Sequence, residues 1–78
     1  MVSALRAAGA YVWDLKLPVD LLCSYKGRTL LVEIKRDEKA KFTALQRKFF
    51  EDWTGDTLAR VDGPEAALRL LRVIDGTE

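Results

Sequence analysis

The stretch that decides the fold is Leu17-Pro18-Val19-Asp20-Leu21-Leu22-Cys23-Ser24-Tyr25-Lys26-Gly27-Arg28-Thr29-Leu30-Leu31-Val32-Glu33-Ile34-Lys35. Two apolar, β-rich runs, Val19 to Tyr25 and Thr29 to Lys35, flank Lys26-Gly27, which predicts a hairpin. In an antiparallel pair, directly opposed residues share a face and a constant sum of residue numbers. A two-residue loop pairs Tyr25 with Arg28, and the same sum, 53, pairs Asp20 with Glu33. Lys35 lies two residues on, so it shares their face. A four-residue loop preserves this pairing. A three-residue loop sets Asp20 opposite Ile34, on the wrong face. Gly27 suits a tight primed turn.

Charged groups set into apolar strands are costly to bury unless they are paired or put to use. Two carboxylates about 5 Å apart across a sheet repel unless a cation or a proton lies between them. Two readings follow. The cluster is either a cross-strand ion pair on a wet face, or a divalent-metal site for cutting a phosphodiester bond. In the second, Mg²⁺ or Mn²⁺ takes the carboxylate oxygens and holds a water beside a substrate phosphate. Lys35 then orients that water or neutralises charge developing on the phosphate.

Outward from the hairpin, residues 2–8 read as a short helix ended by Gly9. Ala10 to Trp13 is a strand, and Leu15 to Pro18 a connection. Arg36 to Phe42 is a charged loop. Thr43 to Trp53 is a helix with Leu45, Phe49, Phe50 and Trp53 on one apolar stripe, stopped by Gly55. Thr57 to Val61 is a fourth strand. Pro64 opens a last helix that runs to about Leu71 and buries Ala67, Leu68 and Leu71, before a fraying end. The order α-β-β-β-α-β-α predicts an α/β domain, a mixed sheet of about four strands flanked by helices.

At 78 residues the chain makes one domain, small enough to be marginal alone. Its hydrophobic share, 49%, exceeds what so small a globule can hide and predicts a homo-oligomer. Net charge is only +1, but it is unevenly spread. Lys26 to Lys48 holds eight basic residues and three acidic ones, whereas Phe49 to Glu78 holds three and seven. A basic middle around two carboxylates suits a polyanion approaching a metal, although a solvated charged surface has the same composition. With one cysteine and no histidine, an internal disulfide is excluded and a Cys/His zinc site nearly so. Cys23 reads as a small buried hydrophobe. No membrane span or signal peptide is visible, and a cytoplasmic protein is expected.

Pro18-Val19-Asp20 and Glu33-Ile34-Lys35, in this order of elements, resemble the PD-(D/E)XK nuclease superfamily. The segments Leu17 to Leu22, Val32 to Lys35 and Phe42-Thr43-Ala44-Leu45-Gln46-Arg47-Lys48-Phe49-Phe50 look like its VRR-NUC branch, in which a threonine-x-x-glutamine helix start follows the EVK or EIK strand. Stand-alone members, many of them viral or phage-borne, are similarly short. The resemblance covers roughly residues 10–71 and implies a restriction-endonuclease-like fold over a single domain, 1–78. It implies Mg²⁺ or Mn²⁺ on Asp20, Glu33 and the backbone carbonyl of Ile34, with Lys35 as the catalytic lysine and Gln46 facing the site. It also implies a homodimer that cuts structured DNA, including four-way junctions, in a bacterial or phage-infected cell. One departure stands out. Family members often carry a glutamate on the first helix, near the metal, whereas residues 1–10 here hold no acid and Ser3 is the only side chain with an oxygen. The chain either uses fewer carboxylates or lacks the start of the domain.

Gln46 has a second reading, since Thr43-x-x-Gln46 is a capping box. Asp14 is either a further ligand or a strand-end residue. Trp13 and Trp53 are candidates for base stacking, although Trp53 sits on the apolar stripe of its helix, which favours a core role. Lys39, Lys41, Arg47 and Lys48 flank the presumed site and are the candidates for DNA phosphate contacts. A nuclease-fold module that binds DNA or protein without cutting is the rival to the enzyme.

Overall fold

The computed structural model describes residues 1–35 and 42–76. Its elements follow the expected order: α1 (Val2–Ala7), β1 (Tyr11–Asp14), β2 (Leu21–Tyr25), β3 (Arg28–Ile34), α2 (Ala44–Asp52), β4 (Thr57–Val61) and α3 (Pro64–Asp75). The four strands form one mixed sheet in the order β1-β2-β3-β4. β1/β2 and β2/β3 are antiparallel, and β3/β4 are parallel, with α2 in the crossover between them.

The hairpin has the two-residue turn that the sequence predicts. Tyr25 pairs with Arg28 and Leu21 with Val32. Lys26 and Gly27 both take positive φ, 49° and 77°, as a primed turn requires. β2 starts two residues later than expected, at Leu21. The reason is local: the Asp20 carbonyl accepts the N–H groups of Leu15 and Lys16, at 2.8 and 3.1 Å, which draws Asp20 into the β1–β2 connection.

One face of the sheet carries the core. Alternate strand residues (Val12, Cys23, Leu30, Val32 and Val61) join Leu5 of α1 and Ala67 and Leu71 of α3. Leu30 and Leu71 are 1% and 2% exposed, and burying each contributes roughly 1.5–3 kcal/mol. Cys23 lies within this core, and burial pushes its thiol pKa up. On β3, Leu30 through Glu33 are all buried, so this central strand is covered on both faces beside its parallel partner.

α3 is longer than the sequence reading allows. It does not end near Leu71 but continues to Asp75, where Gly76 caps it in the left-handed region. Tyr25 Oη donates to Asp75 at 2.9 Å, and Lys26 Nζ lies 2.6 Å from it. The hairpin turn therefore pins the last turn of the helix, and the Lys26 ammonium holds the Asp75 carboxyl below its ordinary range. Leu68 is half-buried rather than buried. A second clamp joins the starts of β3 and β4. Arg28 grips Asp56 through Nε and a terminal nitrogen, and the N–H groups of Thr29 and Thr57 add to it.

α2 departs most from its predicted role. It is capped as expected, with Thr43 and Gln46 forming the reciprocal box. None of its residues is buried, however, and Leu45 is 62% exposed. Its aromatics are half-buried and pair locally, Phe49 with Trp53 and Phe50 with Phe42, at ring separations of 5.4 and 4.7 Å. Gly55 does not stop the helix. Trp53 already leaves it with ψ 127°, and its indole N–H donates to the Asp56 carbonyl at 2.7 Å. Tyr11, Trp13 and Leu17 are also exposed, on or just after the free edge strand β1. Among the described residues, no helix is long and apolar enough to cross a membrane.

Candidate active site

The hairpin register and the start of α2 bring Asp20, Glu33, Lys35 and Gln46 together. Glu33, one residue from the end of β3, is 2% exposed and is the buried charged residue of the described core. Its Oε1 accepts the N–H of Asp20 at 3.1 Å. Its Oε2 accepts the Gln46 amide at 2.6 Å and lies 3.2 Å from Lys35 Nζ. A buried carboxylate is tolerable when its oxygens are met in this way. Asp20 in turn accepts the N–H of Ile34 at 2.8 Å through Oδ2. The loop before β2 and the end of β3 are thus cross-linked twice, once by each carboxylate.

Gln46 both caps its helix and reaches Glu33. Its amide oxygen accepts the Thr43 N–H at 3.2 Å, and its amide nitrogen donates to Glu33. The third position of the helix is where a capping-box side chain turns back over the N-terminus. There it can reach the neighbouring strand end. Lys35 follows β3, and its own N–H is tied to the Val61 carbonyl at 2.9 Å. Its side chain is 17% exposed, and Nζ lies 5.6 Å from the centre of the Phe42 ring.

Beside the cluster lies an open cleft of about 590 Å³, lined by Met1, Val2, Ser3, Asp14, Asp20 and Ile34 among others. Asp14, the last residue of β1, therefore shares a cleft with Asp20, and Ser3 of the first helix faces the same space. The available oxygens are hard donors of the kind Mg²⁺ and Mn²⁺ prefer. Among the described residues, no group of three or more His, Cys, Asp or Glu side chains is arranged to hold a metal. The donors fit a cation taken by one or two carboxylates, with water and substrate completing its shell, which is the habit of Mg²⁺. Ile34 reaches this point through its N–H, bonded to Asp20.

The expected phosphate contacts divide. Arg47 and Lys48 are exposed on α2, with Lys48 also 3.0 Å from Asp52 one turn on. Lys39 and Lys41 lie outside the described residues. Trp13 is 57% exposed on β1, while Trp53 is half-buried against Phe49. Two residues near the site are not among the expected site residues. Phe42 packs by Lys35, and Arg60 is directly opposite Glu33 in the parallel register of β3 and β4. The pairing of Arg60 emerges only once the strand after α2 is set parallel and in register. Comparison with protein-family models, with curated proteins and with solved structures returns no match.

Proposed function

We propose that this chain is a metal-dependent DNA endonuclease with a restriction-endonuclease-like fold, a VRR-NUC-like member of the PD-(D/E)XK superfamily. The observation that carries the reading is the convergence of the Lys35 ammonium, the Gln46 amide and the Asp20 N–H on the buried Glu33 carboxylate, with the Asp20 carboxylate beside it lining an open cleft. An ammonium, an amide and a second carboxylate gathered where solvent can enter suit acid–base and phosphoryl chemistry better than they suit a core.

In this reading Asp20 and Glu33, with the Ile34 carbonyl, hold Mg²⁺ or Mn²⁺. The cation would polarise the phosphate and lower the pKa of a bound water. Lys35 orients the attacking water and offsets negative charge on the phosphate as it reacts. Gln46 keeps the Glu33 carboxylate turned toward the site. Arg47 and Lys48 meet neighbouring phosphates of the duplex. The exposed Tyr11, Trp13 and Leu17 near the free edge β1 support a second copy docking there, because unprotected edges and apolar patches invite partners. A two-fold dimer would present two sites to a four-way junction or other branched DNA.

A second reading has its own support. Both Glu33 oxygens are already met by protein donors, and α1 brings Ser3 rather than an acid to the cleft. A domain of this kind could bind DNA or protein and cut slowly or not at all. The deciding experiment is cleavage of labelled four-way junction, flap, duplex and single-stranded DNA with Mg²⁺ or Mn²⁺, beside Asp20→Asn and Lys35→Ala. Metal-dependent cutting that both variants lose supports the nuclease. Intact substrates with DNA still bound support the binding module.

A further inference from the structure

A second cleft, of about 240 Å³, opens at the C-terminal ends of the parallel strands β3 and β4, lined by Lys35, Arg60, Val61, Asp62 and Ala66. It adjoins the candidate active site through Lys35 but faces a different set of groups. Two cations meet there. Arg60 Cζ and Lys35 Nζ each lie 5.6 Å from the centre of the same Phe42 ring, which fixes the two charges on one aromatic platform. The floor is the start of α3. Gly63 caps that helix without any side-chain hydrogen bond, Pro64 follows, and Ala66 of the first turn lines the cleft. The first N–H groups of a helix have no partner within it, and they favour anions. Among the described residues, the acids nearby are Glu33, which is 3.2 Å from Lys35 Nζ and opposite Arg60 in the register, Asp62, which lines the cleft, and Glu65, which lines a separate one with Arg69 and Arg72. The crevice outside the carboxyl ends of parallel strands is also where open α/β sheets take their ligands.

We infer that this cleft is a phosphate subsite, in which Arg60 and the N-terminus of α3 hold a backbone phosphate next to the one being cut. The inference rests on the nuclease reading and deepens it. Arg60 is a binding residue in this scheme and takes no part in the bond change. It fixes the register of the strand so that the neighbouring phosphate reaches Lys35 and Glu33. The guanidinium fork suits a phosphate, and lysine in its place supplies the charge without the two-pronged contact.

The test is binding of a labelled four-way DNA junction, in Ca²⁺ so that no strand is cut, followed by fluorescence anisotropy across a salt series. Arg60→Ala is expected to weaken binding about tenfold and to lower the slope of log K against log salt by about one. Arg60→Lys should keep the slope and recover part of the affinity. Arg69→Ala, on α3 outside the cleft, serves as the control and should match the unaltered protein. In Mg²⁺, Arg60→Ala should raise KM by a larger factor than it lowers kcat. Asp20→Asn should lose cutting but keep the full salt slope. If the unaltered protein cuts DNA and Arg60→Ala binds like Arg69→Ala, the subsite is overturned and the nuclease stands. If the unaltered protein neither binds nor cuts any of the four DNA forms, both fall together.

Discussion

Asp20 and Glu33 are tied through each other's strand ends: the Asp20 N–H donates to Glu33 at 3.1 Å, and the Asp20 carboxylate accepts the N–H of Ile34, the residue after Glu33, at 2.8 Å. Each acid is held by the backbone beside the other. Neither can leave without unmaking part of the turn that presents its neighbour. The site and the junction between β2 and β3 are one structure.

Removing Glu33 should therefore cost stability as well as activity. Glu33→Ala leaves the Asp20 N–H and the Gln46 amide without acceptors, at a cost of about 1–3 kcal/mol for each group that stays dry. Glu33→Gln turns one oxygen into a donor facing other donors, and should also destabilise. Urea unfolding of both variants checks this, and a loss near zero would show that water reaches Glu33 freely.

Gln46 separates helix capping from the site. Gln46→Glu keeps an oxygen for the Thr43 N–H, so α2 should remain formed. It loses the amide donor and sets a like charge 2.6 Å from where Glu33 Oε2 now accepts. DNA cutting should fall at least tenfold while far-ultraviolet circular dichroism is unchanged. Gln46→Ala loses both roles and about 1 kcal/mol of capping besides.

Metal binding should appear as stability. A cation that binds only the folded state adds about 2.7 kcal/mol at a hundredfold excess over its Kd. Mn²⁺ is expected to raise the Tm of the protein, and chelation should reverse the shift. Asp20→Asn retains an oxygen for the Ile34 N–H, so it should fold normally yet show no Mn²⁺ shift. An equal shift in protein and variant would place the cation elsewhere.

Acid should weaken the clamp between β3 and β4. The Arg28 guanidinium, helped by the Thr29 N–H, holds the Asp56 carboxyl well below the usual carboxylate range. A lowered folded-state pKa means that folding favours the ionised form. Its contribution is complete above the unfolded value, near about 4, and is lost as the pH falls below it. Asp56→Asn should be less stable than the unaltered protein at about pH 7, and the gap should narrow toward about pH 2. Chemical unfolding across that range measures it.

The hairpin turn makes a simple backbone prediction. Gly27 sits at φ 77°, where a side chain is unwelcome, and no atom crowds the place its Cβ would take. Gly27→Val should therefore cost about 1–2 kcal/mol through the backbone alone. A scan of Tm against Gly27→Asn, which tolerates this region, distinguishes strain from lost packing.

The hairpin was readable because parity is arithmetic: a two-residue turn at Lys26-Gly27 sets Tyr25 against Arg28 and Leu21 against Val32, but Asp20 leaves the ladder before its turn comes and reaches Glu33 through its own N–H instead. Gln46 was readable as a cap, because that is a local pattern. What stayed hidden depends on distant partners. β2 begins late because Leu15 and Lys16 claim the Asp20 carbonyl, and α3 runs on because Tyr25 and Lys26 reach across to Asp75. The stripe on α2 looked like core, but periodicity reports only which residues share a face, not whether anything covers it; Leu45 shows the difference. Arg60 comes opposite Glu33 through a parallel register that no local signal announces.

The same helix has a bearing on how the site behaves in time. α2 buries none of its residues, yet through Gln46 it forms the lid over Glu33. An element with so little packing opens at far less cost than the sheet beneath it. Its amides should exchange with solvent long before those of β3, and each such excursion would strip the amide from Glu33 while Asp20 and Lys35 stay where they are. The carboxylate that is saturated at rest would then have an oxygen to give, so the breathing of one lightly held helix would set how often the site is ready.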